Sequence, residues 1–115
     1  MTGDEAVVTT TTEQGVAVVS LRGDIDEEQA PALNRALAAT RASRPARTVV
    51  DLSGTRFADS SVLHALLEAQ RAHRSAGAVL VLAGPLQTAV QRLFEVTGTA
   101  SAFRMADSLE AALTS

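Results

Sequence analysis

The stretch VVDLSGTRFADSSVL, residues 49–63, decides the fold. Arg47–Leu52 has an apolar centre, which is typical of a strand buried on both faces in a parallel sheet. Ser53–Asp59 is expected to be a loop, with Phe57 turned inward. Asp59, Ser60 and Ser61 are residue types favoured at helix starts, and Ser60 is expected to open a helix. A buried strand, a short loop and a helix in this order favour an α/β domain.

The same pattern continues on both sides of this stretch. Valine- and threonine-rich segments at 6–12 and 16–21 predict an N-terminal β-hairpin. Helical spacing of apolar residues predicts further helices, and apolar runs predict further strands. The expected order is β-β-α-β-α-β-α-β-α, a mixed sheet with about four helices packed on it, in a single domain over residues 1–115. The predicted helices lie at 27–41, 60–75, 86–96 and 108–113, and the later strands at 47–52, 78–83 and 102–105.

Helix caps are predicted from the acids that precede two of these helices. Asp26 is expected to cap the first helix and Asp107 the last, because a carboxylate accepts the free N–H groups of a first turn. His64 and His73 are both expected on solvent-facing positions of the second helix. Arg56 is expected to pair with Asp26 or Asp59.

Composition excludes several classes of function. The chain has 115 residues, no cysteine, two histidines and three phenylalanines, with neither tryptophan nor tyrosine. Thiolate chemistry is therefore excluded, and a histidine-rich metal centre or a base-stacking surface is disfavoured. The net charge of -3 gives no basic footprint for nucleic acid. We expect no metal, no cofactor, no nucleic-acid partner and no membrane contact, and a cytoplasmic location.

Charge is unevenly distributed along the chain. Residues 1–28 hold seven acids and one arginine, whereas the remainder holds six acids and nine arginines. This pattern is compatible with an ordinary solvated surface, and also with an acidic edge that meets a basic partner.

Asp59, Ser60 and Ser61 carry the most informative chemistry. Helix capping alone accounts for these residue types. The same position would also accept a phosphate on Ser60, because free N–H groups and the helix dipole favour negative charge there. Facing a partner carboxylate at 4 Å, each unit of added charge would cost at most about 4 kcal/mol, which is enough for a binding switch.

Three segments together resemble a known family. They are Leu21-x-Gly23-x-Ile25-Asp26, Val50–Ser53, and Phe57-x-Asp59-Ser60-Ser61-x-Leu63. This ordered set, with a later apolar strand and Val90-x-x-Leu93-Phe94-x-x-x-Gly98, is similar to STAS domains, and most closely to bacterial anti-sigma factor antagonists.

The resemblance implies a regulatory binding protein and not an enzyme. It implies a partner that is both an anti-sigma factor and a serine kinase with a histidine-kinase-like ATPase fold. Unphosphorylated antagonist would bind this partner and release sigma factor, and phosphorylation at Ser60 would switch the binding off. The resemblance also implies partner-binding roles for a set of neighbouring residues: Asp24, Asp26, Asp59, Ser61, Val62 and His64.

The sequence departs from the family at two positions. Val62 and His64 stand where family members usually have glycine. Both side chains would obstruct a close approach to Ser60, or would select a different kinase. An alternative is therefore a non-switching STAS scaffold or an accessory subunit in a multiprotein complex. Oligomeric state is left open by the sequence.

Two enzyme-like alternatives are weaker. A serine hydrolase using Ser60 with His64 or His73 lacks the G-x-S-x-G elbow. A receiver-type phospho-acceptor site at Asp24 and Asp26 would need a lysine late in the chain, and the chain has no lysine.

Overall fold

The computed structural model describes residues 6–114. Its elements, in chain order, are β1 (Val7–Glu13), β2 (Val16–Ile25), α1 (Ala30–Ala42), β3 (Arg47–Asp51), β4 (Thr55–Ala58), α2 (Ser60–Ser75), β5 (Val79–Ala83), α3 (Thr88–Thr97), a single 3-10 turn (Ala100–Ala102), β6 (Arg104–Ala106) and α4 (Leu109–Thr114). The predicted α/β class, the N-terminal hairpin and the four helices are confirmed. The structure adds one strand, β4, to the predicted order.

The sheet is mixed, with the order β1-β2-β3-β5-β6. β1 pairs antiparallel with β2, while β2–β3, β3–β5 and β5–β6 are parallel pairs. α1, α2 and α3 contribute to the main core on one face of the sheet. α4 packs on the other face, over Val18, Val49 and Val81. The valines of β3 are thus buried on both sides, which confirms the interpretation of that strand.

β4 lies in the segment that was expected to be a loop. β4 lies on the same side of β2 as β3, further along that strand, and it pairs in parallel with the end of β2, Gly23–Ile25. Thr55 is fully buried and its hydroxyl donates to the Leu21 carbonyl at 2.7 Å. These non-local bonds hold the segment as a strand although it has only four residues, too few for a periodic pattern in the sequence.

Phe57 does not turn inward, so that prediction was wrong. Gly23 is paired with Thr55 and Asp24 with Phe57, which leaves Arg56 as an extra residue on β4. Such a bulge interrupts the alternation of side chains along a strand. Arg56 and Phe57 therefore both face outward between two buried residues, and Phe57 is 46% exposed.

Two predicted helix starts are also corrected. α1 begins at Ala30 and not at 27, because residues 26–29 form a separate turn in which Asp26 Oδ1 accepts from the Glu28 N–H at 2.9 Å. In α4 the capping residue is Ser108, one position after Asp107. Its hydroxyl accepts from the Ala111 N–H at 3.1 Å.

His73 was predicted to face solvent, but the structure buries it to 2% exposure. It continues the apolar stripe of α2, four residues after Ala69, and therefore packs against the sheet. Its Nδ1 lies 2.8 Å from the Ala69 carbonyl oxygen and its Nε2 lies 2.9 Å from the Thr48 hydroxyl. The carbonyl can only accept, so Nδ1 carries the proton and the Thr48 hydroxyl donates to Nε2 in the neutral ring.

This contact gives a stability prediction. Thr48→Val keeps the shape of the side chain but leaves the His73 Nε2 without a donor in the core, which should cost about 1–3 kcal/mol of unfolding free energy. Thr11→Val, at an exposed position of β1, is the matched control and should change stability by less than about 0.5 kcal/mol. Urea unfolding measures both variants. Equal midpoints for Thr48→Val and the unsubstituted chain would contradict the assigned hydrogen bond.

Candidate functional site

The predicted site residues gather where β2 and β4 end and α2 begins. The carboxyl ends of these two parallel strands lie side by side, with Ile25 opposite Ala58. The chain leaves β2 into the turn at Asp26 and leaves β4 directly into Asp59 and α2. We call this region the α2 pole, defined by residues 24–28 and 56–64. Parallel pairing thus brings together two segments that are about thirty residues apart in the sequence.

Asp59 is the N-cap of α2. Its backbone is extended, and Oδ1 accepts from the N–H groups of Ser61 at 3.0 Å and Val62 at 3.3 Å. The Ser61 hydroxyl donates to the same oxygen. The structural role expected for these residue types, a helix cap, is therefore present. This cap holds the first turn of α2 in an orientation that leaves Ser60 exposed to solvent.

The environment of Asp59 favours its charged form. Partial burial alone would raise the pKa of Asp59, but hydrogen bonds from the Ser61 hydroxyl and from the N–H groups of Val62, Ser61 and Glu27 outweigh it and hold the pKa below its usual value. The Glu27 N–H belongs to the turn after β2. Asp59 thus also connects the two segments of the α2 pole electrostatically.

The cap predicts a pH-dependent contribution to stability. Asp59→Ala should lower the unfolding free energy by about 1 kcal/mol, because two first-turn N–H groups lose their acceptor. The lowered pKa means that the carboxylate stabilises the fold above its unfolded-state pKa, near 3.8, and that this stabilisation is lost as the pH falls through the folded-state pKa.

Asp59→Asn is the control, since asparagine caps about as well but does not titrate. Between about pH 5 and pH 3 the unsubstituted chain should lose more stability than Asp59→Asn in chemical unfolding experiments. Parallel losses in the two proteins would contradict a lowered pKa.

Ser60 is the first residue of α2 and is exposed. Among residues 6–114 its hydroxyl has no hydrogen-bond partner, in contrast to the neighbouring Ser61 hydroxyl, which is bonded to Asp59. The hydroxyl that the sequence singles out is therefore accessible, and it lies at the amino end of a 16-residue helix, where added negative charge is favoured.

Acids at the end of β2 and in the turn after it add negative charge to the α2 pole. Asp24 accepts two hydrogen bonds from Arg56, at 3.0 Å each, in a forked geometry. These bonds, assisted by the positive charge of Arg56, hold the pKa of Asp24 below its usual value against slight desolvation. Asp26 instead shapes its own turn, accepting from Glu28 while Gln29 Oε1 accepts from the Asp26 N–H at 3.0 Å. Arg56, expected beside Asp26 or Asp59, is thus joined to Asp24.

Val62 and His64, the two departures from the family pattern, have opposite surroundings. The Val62 side chain is 1% exposed and lies in the core. Its bulk therefore faces away from any partner that approaches Ser60. The His64 side chain is 77% exposed, and its Nε2 lies 3.9 Å from Glu68 Oε2. Only His64 changes the surface beside Ser60.

Within the described range, neither histidine is hydrogen-bonded to Ser60. His73 lies thirteen residues further along α2, about 20 Å at 1.5 Å per residue. No group of three or more metal-binding side chains occurs among residues 6–114. The described helices are all too short or too polar to cross a membrane. The α2 pole instead presents an accessible hydroxyl, acids and one aromatic side chain on a surface.

Phe57 is the residue of this surface that the sequence did not reveal. It lies on β4, three residues before Ser60, and its exposure follows from the bulge opposite Gly23 and Asp24. Gly23 has a φ of +85°, a conformation that favours glycine. A glycine between a strand and an acid is a weak signal for a bulge, because isolated glycines also occur in ordinary turns.

Comparison with known proteins agrees with this fold. A family model described as "Mlab, STAS domain" matches residues 8–107. No curated protein sequence matches the chain significantly. A crystal structure of an anti-sigma factor antagonist from Mycobacterium paratuberculosis is similar, with 33% identity, a TM-score of 0.81, and coverage of 98% of this chain and 95% of that one. The chain belongs to the STAS domain family.

More distant structures share the fold alone. An anti-sigma factor antagonist (STAS) domain protein from Planctomyces limnophilus has 20% identity and a TM-score of 0.79, with coverage of 92% of this chain and 95% of that chain. A sulfate transporter family protein from Wolinella succinogenes has 21% identity and a TM-score of 0.74, with coverage of 90% and 85%. The same architecture therefore occurs in proteins that carry different descriptions.

Proposed function

We propose that this chain is an anti-sigma factor antagonist that acts by binding and not by catalysis. It binds an anti-sigma factor that is also a serine kinase with a histidine-kinase-like ATPase fold, and it thereby releases sigma factor. Phosphorylation of Ser60 switches the binding off. The chain acts as one STAS domain over residues 1–115, in the cytoplasm. The observation that carries this proposal is the free, exposed hydroxyl of Ser60 at the start of α2.

Similarity to the mycobacterial antagonist supports the general role, because it extends over nearly the whole of both chains. The docking surface is the α2 pole, with Asp24, Asp26, Ser61 and His64 around Ser60. Phe57 is added to this surface because it is exposed beside Asp24. The buried side chain of Val62 is left out of it, and Asp59 contributes by orienting the first turn of α2.

Electrostatics supports a partner with basic groups facing the acidic turn after β2. The end of β2 and the turn after it carry Asp24, Asp26, Glu27 and Glu28, and Arg56 forms the forked bond to Asp24 described above. Complementary charge accelerates association and fixes the orientation of the partner. Directly over Ser60, by contrast, a kinase must place the groups that accept the serine proton, and a phosphate left there would meet them at close range.

A release assay tests the proposal. The chain is added to a preformed complex of a candidate anti-sigma kinase with its sigma factor, and free sigma factor is measured by size-exclusion chromatography. Release by the unsubstituted chain and by Ser60→Ala, with no modification of Ser60→Ala, is the expected result. If sigma factor stays bound at saturating chain with every anti-sigma kinase of the same genome, the proposal is wrong.

A non-switching scaffold or accessory subunit is the second candidate. It is favoured by the imidazole of His64 beside Ser60, since family members usually have glycine there, and by the fold shared with a sulfate transporter family protein. This candidate predicts that kinases leave Ser60 unmodified, and that the chain is recovered in a stable complex whose composition does not respond to Ser60→Asp.

A further inference from the structure

Ser60 begins a line of polar side chains along the exposed face of α2. His64 and Glu68 follow at intervals of four residues, and Arg71 follows three residues later. His64 Nε2 lies 3.9 Å from Glu68 Oε2, and Arg71 Nη1 lies 3.4 Å from the same oxygen. Residues four apart on a helix are neighbours. His64 therefore stands between Ser60 and Glu68, within reach of either.

Few other charges compete for His64. Its side chain is 77% exposed, and among residues 6–114 Glu68 is the one acid within 4.0 Å of the imidazole. No other acid comes within that distance from the elements packed around α2. The charged groups on those elements include Asp24, Asp26, Glu27 and Glu28 at the end of β2 and in the turn after it, Arg35 on α1, Arg56 on β4, and Arg92 and Glu95 on α3.

A phosphate on Ser60 would change this balance. It brings about -1.5 to -2 charge, against one unit on Glu68. It also lies on the amino-terminal side of His64, and an acid four residues before a base is the favourable order on a helix. Glu68 lies on the other side of His64 and already shares its charge with Arg71.

We propose that His64 forms an intrahelical ion pair with a phosphate carried by Ser60 and gives up its contact with Glu68. The inference rests on the proposed phosphorylation of Ser60. His64 then acts as a positioning residue: it holds the phosphate along α2 and compensates part of its charge.

The test uses full-length chain in which phosphoserine is incorporated at position 60 during translation, so that no kinase is needed. Phosphorus NMR then follows the second ionisation of the phosphate between about pH 5 and pH 8. A nearby cation favours the dianion. The titration midpoint should therefore be about half a unit lower in the chain with His64 than in His64→Gln. The imidazole proton resonances of His64 should also shift on phosphorylation.

Three variants separate this interaction from a general effect of folding. Glu68→Gln removes the competing acid and should lower the phosphate midpoint slightly further. Arg74→Gln removes one exposed positive charge about 20 Å along α2 from Ser60 and should not move the midpoint. Ser60→Glu carries a single fixed charge and should shift the His64 resonances in the same direction by a smaller amount.

The inference is overturned if the phosphate midpoint is the same with His64 and with His64→Gln. It is also overturned if the His64 resonances do not respond to phosphorylation or to Ser60→Glu. Failure of kinases to modify Ser60 would contradict the proposed function alone, because this experiment installs the phosphate independently of them.

Discussion

Ser60→Asp should weaken binding to the cognate anti-sigma factor by about 10- to 100-fold, because the new carboxylate would be desolvated in the interface without a partner. In the free chain the same carboxylate is tolerated, since Ser60 is exposed at the first turn of α2, where the helix dipole favours negative charge. The variant should therefore be at least as stable as the unsubstituted chain. Isothermal titration calorimetry measures the affinity, and urea unfolding measures the stability.

Ser101→Asp is the matched control for this substitution. Ser101 is exposed in the 3-10 turn that precedes β6, at the amino end of that parallel strand and thus away from the α2 pole. The same change in charge there should leave the affinity within about twofold of that of the unsubstituted chain. Charges far from an interface are screened in physiological salt and contribute little to binding. Equal affinities for Ser60→Asp and Ser101→Asp would show that Ser60 lies outside the interface.

Phe57→Ala should reduce affinity for the same partner by about 30-fold, equivalent to about 2 kcal/mol, because exposed aromatic side chains at the centre of an interface contribute strongly to binding. Phe57 is 46% exposed, on β4, opposite Asp24 and three residues before Ser60. Half of its surface is already exposed in the free chain, so the loss of stability should be smaller than for a core phenylalanine.

Val96→Ala provides the control for Phe57→Ala. Val96 is 78% exposed near the carboxyl end of α3. The substitution therefore removes exposed apolar surface at a position outside the α2 pole. It should leave affinity unchanged. If Phe57→Ala binds as tightly as Val96→Ala, the aromatic side chain is not part of the docking surface, and the interface must lie on α2 and the acidic turn alone.

Much of the fold follows from patterns within single segments. The valines of β3 and the apolar run of β5 predict buried parallel strands, and the helices α2 and α3 follow from apolar spacing and from glycines at their ends. Gly98, with a φ of +67°, ends α3 as expected. These signals lie within single segments, so they can be recognised without knowledge of the tertiary contacts.

The incorrect predictions concern segments whose structure depends on contacts with residues distant in the sequence. β4 exists because Gly23–Ile25 offers it a partner, and Phe57 faces outward because the pairing skips Arg56. His73 was assigned to solvent as a polar residue, although its spacing from Ala69 continues the buried stripe of α2. At this position the periodic signal outweighs polarity, because a buried histidine is tolerated when both ring nitrogens are bonded.

The candidate site shows the same division. Asp59, Ser60 and Ser61 could be recognised from residue type and order, and the structure places them at the start of α2 with Asp59 as the cap. The pairing of Arg56 with Asp24 joins residues 32 positions apart, and nothing in either segment indicates it. The contrast between buried Val62 and exposed His64 likewise depends on the side of α2 that packs against the core.

The most direct test of the central claim is phosphorylation itself. The chain is incubated with anti-sigma kinases of the same genome and ATP, modified residues are mapped by mass spectrometry, and the affinity of the product is measured. The account predicts one phosphate, on Ser60, absent from Ser60→Ala, and a loss of binding at least as large as that of Ser60→Asp. An unmodified Ser60 with every kinase, or a chain phosphorylated at Ser60 that binds as tightly as before, would contradict it.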